Sequence, residues 1–289
     1  LGEALPDLTL HDVERVMDAL TDAGYRPRTV QGARQALSIL LQSALREGLV
    51  SKVVTEGSSR IRRLVDDADD PTMKALDPDS MRALLTAAEG SRWEPLVATL
   101  ALLGLRRGEA LGLLWSEVDL DNGTVTISRS LSRARSKGTA PLVLGPTKTK
   151  GSKRRLPLPP VLVALLKSWR ADQARDRLAC GEAWGDGTWA DTDFVFTTAI
   201  GSPIDPGKLY SALDRLGKRA GIGHVHPHQL RHSLASVLIA TGHTPPEVAR
   251  VMGHSSPDVT MSFYAHAFEE AAVRAMDTVA SAYGKAANA

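Results

Sequence analysis

Apolar residues in the first fifty positions recur at helical spacing. In "TLHDVERVMDAL" (9–20), Leu10, Val13, Met17 and Leu20 share one face, and Thr9 with Asp12 forms a Thr-x-x-Asp capping box. "RTVQGARQALSILLQSALREGL" continues the pattern with Val30, Ala33, Leu37, Leu40, Leu41 and Ala44. The spacing predicts two amphipathic helices of a small helical domain. "TEGSSRIRRLVDDADDPT" then turns polar and aperiodic, which reads as a linker. The division is a helical domain over 1–55, a linker over 56–75, and a second domain over 76–289.

The second domain is predicted to be mainly α with a small antiparallel β-sheet. Asp77 caps a helix that opens on Pro78. "WEPLVATLALLGLRRGEALGLLW" predicts a buried helix, a break at Gly104, and a further helix carrying Arg106, Arg107 and Glu109. "GTVTISRSL" alternates Val125 and Ile127 with polar positions, and "APLVLGPTKTKGSKRRLPLP" adds two short strands around a turn at "KTKGSK". Helices resume in "VLVALLKSWRADQARDRL" and "DPGKLYSALDRLGKRAG", with "DFVFTT" between them as a strand or core segment. A helix from about His228 to Ala240 is closed by Gly242, and "TPPEVARVMGH" is a short helix capped by Thr244 and ending near Gly253. A helix from Ser256 puts Tyr264 in its second or third turn, and "FEEAAVRAMDTVASAYGKA" is an amphipathic tail helix.

Composition agrees and narrows the class. The 289 residues suffice for two domains, and only 4% are aromatic while Ala, Leu and Arg abound, which favours helix. A single cysteine, Cys180, excludes an intramolecular disulfide framework and a thiolate zinc site. No stretch reaches the ~18 apolar residues of a membrane span, and no secretory signal pattern opens the chain. The chain opens on Leu1 rather than Met, so natural N-terminal sequence is expected upstream. Net charge is only +2, but nine basic residues and no acidic one lie between Ile127 and Leu156: Arg129, Arg133, Arg135, Lys137, Lys148, Lys150, Lys153, Arg154 and Arg155. Taken alone, such a run is a solvated loop or a segment that tracks phosphates.

The densest chemistry is "HVHPHQLRHSLAS" (224–236). His228 and His232 are spaced i,i+4, workable for zinc. Arg231, however, shares their helical face, and a permanent cation there repels a divalent ion. No His-Glu-x-x-His occurs, so no metal is expected. An anion fits better, because an arginine fork matches phosphate oxygens and a helix N-terminus near His228 adds backbone donors.

Five ordered segments strengthen that reading: "LGLRRGEALGLLWSEVDL" (103–120), "KTKGSKRRLPLP" (148–159), "HPHQLRHSLAS" (226–236), "MGHSSPDV" (252–259) and "FYAH" (263–266). Together they resemble the tyrosine recombinase (phage integrase) family of site-specific DNA recombinases, over roughly residues 75–275. The resemblance implies catalytic roles for Arg106, Lys148, His228, Arg231, His254 and Tyr264, with Lys150 as the alternative lysine. It implies supporting roles for Glu109 and His232, and DNA contacts from Arg129, Arg133, Arg135, Lys137, Lys153, Arg154 and Arg155. It further implies a two-domain DNA clamp, with residues 1–55 as a partial, N-terminally truncated core-binding domain.

The chemistry suits these side chains. Attack on a phosphodiester builds negative charge on non-bridging oxygens, which arginines and imidazoles stabilise without a metal. A tyrosine hydroxyl, with a pKa near ~10, needs a cationic surround and a base to become a nucleophile. The resemblance implies integration and excision of a phage or transposon element on double-stranded attachment or crossover sites. It also implies a homo-tetramer on DNA, no cofactor and no membrane, with an accessory directionality factor left open and the bacterial nucleoid in the cytoplasm as the location. The alternatives are a type IB topoisomerase-like strand transferase, a catalytically silent DNA-binding module, and a zinc hydrolase.

Overall fold

The computed structural model describes residues 8–25, 27–55, 75–134, 140–147 and 152–253. The chain divides into two compact units, Leu1–Pro71 and Thr72–Ala289.

In the first unit, α1 (Leu10–Asp22) packs on α2 (Pro27–Arg46). The Thr9 hydroxyl accepts from the Asp12 N–H while Asp12 accepts from the Thr9 N–H at 3.0 Å, so two orphan donors are satisfied reciprocally. Val13, Met17, Val30, Leu41 and Ala44 form the core, joined by Val50 and Val54 beyond the helix. Leu40 corrects the predicted face. It is 66% exposed, at the edge of the stripe that Val30, Ala33, Leu37, Leu41 and Ala44 complete.

The second unit is built around α4 (Glu94–Leu103), which follows α3 (Pro78–Ala88). Most of α4 is apolar all round and buried, touching α3, α6 (Pro160–Cys180) and α8 (Pro227–Ala240). It stops at Gly104, whose left-handed φ of +58° no side chain adopts cheaply. A Cβ there would also lie 2.8 Å from the Met252 methyl and 2.9 Å from Leu234. The next helix, α5 (Arg107–Leu111), is one turn and a half, with Arg106 at its N-cap rather than inside it. Gly108 and Gly112 bring α5 against Ser130 and Leu131, so closely that a Cβ on either would clash.

The strands form two small sheets rather than one. β1 (Val118–Asp119), β2 (Thr124–Ile127) and β5 (Arg154–Pro157) make one, in the order β1-β2-β5, all antiparallel. β3 (Arg129–Arg133) and β4 (Leu142–Pro146) pair separately. Ser128 separates β2 from β3, and its hydroxyl bonds Glu117, so the ladder changes partner there. β4 and β5 flank the turn as expected but do not pair with each other. "DFVFTT" contributes buried Phe194, Val195 and Phe196, with isolated bridges from Phe194 to Leu114 and from Thr197 to Pro203.

The described part of the unit ends with α7 (Pro206–Arg219), capped by Asp205, then α8 and α9 (Pro245–Met252). α9 has the Thr244 capping box with Glu247 and stops at Gly253, again left-handed at φ +64°. No described helix is long and apolar enough to cross a membrane.

Candidate functional site: three arginines on one helix end

A helix leaves its last carbonyls without intrahelical donors and presents the negative end of its dipole there. At the C-terminus of α9, three successive carbonyls accept from three different arginines. The Val251 carbonyl takes Arg154 Nε at 2.8 Å, the Met252 carbonyl takes Arg231 Nη2, and the Gly253 carbonyl takes Arg106 Nη2 at 2.9 Å. These arginines come from β5, α8 and the start of α5, so one helix end gathers segments almost 150 residues apart. Arg231 also donates through Nη1 to the Gly104 carbonyl at 2.6 Å, which ties the end of α4 to the same point.

Glu109 sits behind this set and is 3% exposed. Its carboxylate accepts from Arg106 Nη1 at 2.8 Å, the Arg106 N–H at 3.0 Å and Arg154 Nη2 at 3.0 Å. Burial alone would raise its pKa. The charge of Arg154 and the hydrogen bonds from both arginines outweigh that and hold the carboxyl below its usual range. Glu109 is therefore an ionised support with its lone pairs committed to cations. Arg106 adds a 3.4 Å contact to the Ser152 hydroxyl, yet 40% of its side chain remains exposed. A guanidinium fixed along one edge and exposed along another is poised to meet an anion.

Arg231 is 3% exposed, whereas His228, one turn earlier on α8, is exposed. His228 stacks edge to face on His232, with ring centroids 4.5 Å apart. Burial, then the neighbouring His228 and Arg231, push His232 down to about 4. Its folded pKa thus lies below the unfolded value of about 6.5. The neutral ring's stabilisation is complete above pH 6.5 and is lost as pH falls towards 4, by roughly 3 kcal/mol at most. Thermal midpoints measured from pH 7 to 4.5 should fall, and His232→Gln should flatten that fall.

The sequence-predicted residues divide as follows. Arg106, Glu109 and Arg231 come together, and His228 and His232 lie on the same helix as Arg231. Lys148, Lys150, His254, Tyr264, Arg135 and Lys137 lie outside the described residues. Arg129 and Lys153 are exposed, and Arg155 is exposed beside the Thr124 hydroxyl. Arg133 donates to the Ala140 carbonyl and forms an ion pair with Asp205. Arg154 requires correction as a DNA contact. Its side chain is 6% exposed, and all three of its nitrogens donate inside the protein, Nε to the Val251 carbonyl, Nη1 to the Ser152 carbonyl and Nη2 to Glu109. Strand alternation carried the signal, since Arg154 and buried Leu156 share one face of β5 while Arg155 and Pro157 share the other. The roles of Ser152 and of the 251–253 carbonyls had no sequence signal.

Gly253 permits this convergence. A Cβ at that position would lie 2.6 Å from Arg154 Nη1 and 3.0 Å from its Cζ. Gly253→Ala is expected to lower stability by about 1–2 kcal/mol through its left-handed backbone alone, read as a fall in urea midpoint.

The phage integrase family profile matches residues 74–271. The chain is 25% identical over 273 residues to a XerC-like tyrosine recombinase of Caldanaerobacter subterraneus subsp. tengcongensis, covering 92% of this chain and 69% of that one. It is 29% identical over 272 residues to an integrase of Streptomyces ambofaciens, covering 90% and 65%. The chain thus spans about two thirds of the length of these relatives. In fold it is similar to the Tn1549 transposon integrase, solved in complex with a circular intermediate DNA, with TM-score 0.74, 19% identity, and 95% and 86% of the two chains covered. A lambda integrase dimer bound to a COC' core site aligns with TM-score 0.58 at 16% identity, covering 91% and 82%. With the family profile spanning more than half of its length, this chain belongs to the phage integrase family, the tyrosine recombinases that cleave and rejoin DNA through a phosphotyrosine intermediate.

Proposed function

We propose that this chain is a site-specific DNA recombinase that integrates and excises a mobile element at attachment or crossover sites in double-stranded DNA. The observation that carries the reading is the α9 terminus. Two arginines assigned to the scissile phosphate, Arg106 and Arg231, bond the carbonyls of residues 253 and 252. The chain leaves that point towards His254 and Tyr264.

In the proposed reaction the Tyr264 hydroxyl attacks phosphorus and passes its proton to His228. The bond from phosphorus to the 5′ oxygen breaks, and that oxygen takes a proton from Lys148, or from Lys150 as the alternative. Arg106, Arg231 and His254 stabilise charge on the non-bridging oxygens. The new 3′-phosphotyrosyl bond conserves the energy of the broken one, so a 5′ hydroxyl from a second duplex can reverse the step without ATP or a metal. Residues 1–55 act as a core-binding domain, 56–75 as a linker, and 76–289 as the catalytic domain. Its tail, after His266, packs on a neighbouring copy in a homo-tetramer on DNA. An accessory directionality factor has its place in choosing between integration and excision. Such an enzyme works at the bacterial nucleoid.

Incubation with a nicked suicide duplex from the element's ends, in EDTA, is expected to yield a covalent adduct, and peptide mapping should locate it at Tyr264. Two labelled duplexes should then exchange strands. Rejoining without exchange would favour a topoisomerase, and absence of any adduct a silent DNA-binding module.

A further inference from the structure

We infer that Arg154 is a positioning residue for cleavage, holding Arg106 and the α9 terminus in one arrangement from inside the protein. The inference rests on the reading just proposed, since it presumes that Arg106 binds the scissile phosphate.

The geometry is specific. One guanidinium, almost wholly buried, meets acceptors from three separate segments: the Glu109 carboxylate on α5, the Val251 carbonyl on α9 and the Ser152 carbonyl just before β5. Glu109 is the same carboxylate that accepts from both the side chain and the backbone N–H of Arg106. Arg106 in turn donates to the Gly253 carbonyl, two residues beyond Arg154's own acceptor on α9. A closed circuit results: Arg154 to Glu109 to Arg106 to Gly253, and back through Val251 to Arg154. Removing Arg154 breaks it at two points and leaves Glu109 with a single cationic partner among the described residues. Gly253 packs directly over the Arg154 guanidinium, so the place where the chain leaves α9 is set against this side chain.

The circuit also reaches the segment before β5. Ser152 accepts from Arg106 through its hydroxyl and from Arg154 through its carbonyl. The stretch that carries Lys148 and Lys150 therefore ends on a residue clamped between these two arginines. Arg154 thus braces Ser152, Glu109 and Val251, and among the described residues its link to Arg106 runs through Glu109. A lysine cannot replace it, because one ammonium on a flexible stem lacks the planar fork that reaches three divergent acceptors.

The test compares Arg154→Lys and Arg154→Met with wild-type and Arg155→Met, measuring DNA affinity against salt and single-turnover adduct formation at saturating DNA. Both Arg154 variants are expected to keep the wild-type slope of log affinity against log salt. Their cleavage should fall on the order of 10²-fold, as when one preorganising donor is lost. Arg155→Met should instead lose about 0.9 from that slope, as for one phosphate contact. In an Arg106→Ala background, adding Arg154→Lys should change the rate less than twofold, because Arg154 acts through Arg106; additive losses would overturn the inference. So would a reduced salt slope in Arg154→Lys, or normal cleavage by it at saturating DNA. If Arg154→Met fails to fold, Arg154→Lys, which retains the charge beside Glu109, carries the comparison. A wild-type chain that forms no adduct would overturn the recombinase reading itself, which separates that failure from failure of the Arg154 role.

Discussion

Arg231→Ala is expected to slow adduct formation at saturating DNA by about 10³-fold, equivalent to about 4 kcal/mol of transition-state stabilisation. The argument has two parts that the experiment can separate. Arg231 is buried and bonds both the Gly104 and the Met252 carbonyls. Truncation strips a donor from each of two helix C-termini, at about 1–3 kcal/mol per buried group left unsatisfied. The variant should therefore melt earlier as well as cleave slowly. Arg231→Lys distinguishes the two effects. An ammonium can reach one carbonyl and keeps the charge, so it should recover part of the thermal stability. It cannot present a fork to a phosphate while holding that carbonyl, so it should recover little of the rate. Rates are compared below the midpoint of the least stable variant. Near-normal cleavage by Arg231→Ala would show that the phosphate binds elsewhere.

How much of this was legible in the sequence depends on how locally each feature is determined. The caps at Thr9, Asp77 and Thr244 are decided within four residues, and the structure has all three. The stops at Gly104 and Gly253 are equally local, since each needs only a left-handed backbone. Pairing between strands is not local. "TVTISRSL" reads as one alternating run, but Ser128 divides it between two sheets, because β2 pairs with β5, as in Val125 with Leu156, while β3 pairs with the nearer β4, as in Leu131 with Leu144. Arg154 and Arg155 illustrate the same limit within the site. A run of like charges looks uniform in sequence, yet strand alternation buries one and exposes the other, and only a buried Glu109 makes the inward position tenable. The 251–253 carbonyls were invisible for a more basic reason. Every residue carries a carbonyl, so nothing in the side-chain pattern says which ones three distant arginines will find.

Tyr264→Phe is expected to bind duplex DNA with wild-type affinity and to form no covalent adduct at all. The change removes one oxygen and keeps the ring. DNA affinity derives from cations neutralising phosphates, and no cation is altered. What is lost is the attacking atom, for which neither a histidine nor water can substitute in forming a 3′-phosphotyrosyl bond. The tether permits a sharper version. Position 264 lies eleven residues beyond Gly253, whose carbonyl Arg106 holds, and eleven residues span at most about 40 Å. A tether this short confers an effective concentration of order mM for the arginines of its own chain, far above the concentration of a second copy in a dilute assay. A mixture of Tyr264→Phe with Arg231→Ala should therefore remain nearly as inactive as either alone. Recovery of adduct in that mixture, carried on the Arg231→Ala chain, would show that the tyrosine reaches the arginines of a neighbour. Adduct formation by Tyr264→Phe alone would remove Tyr264 as the nucleophile.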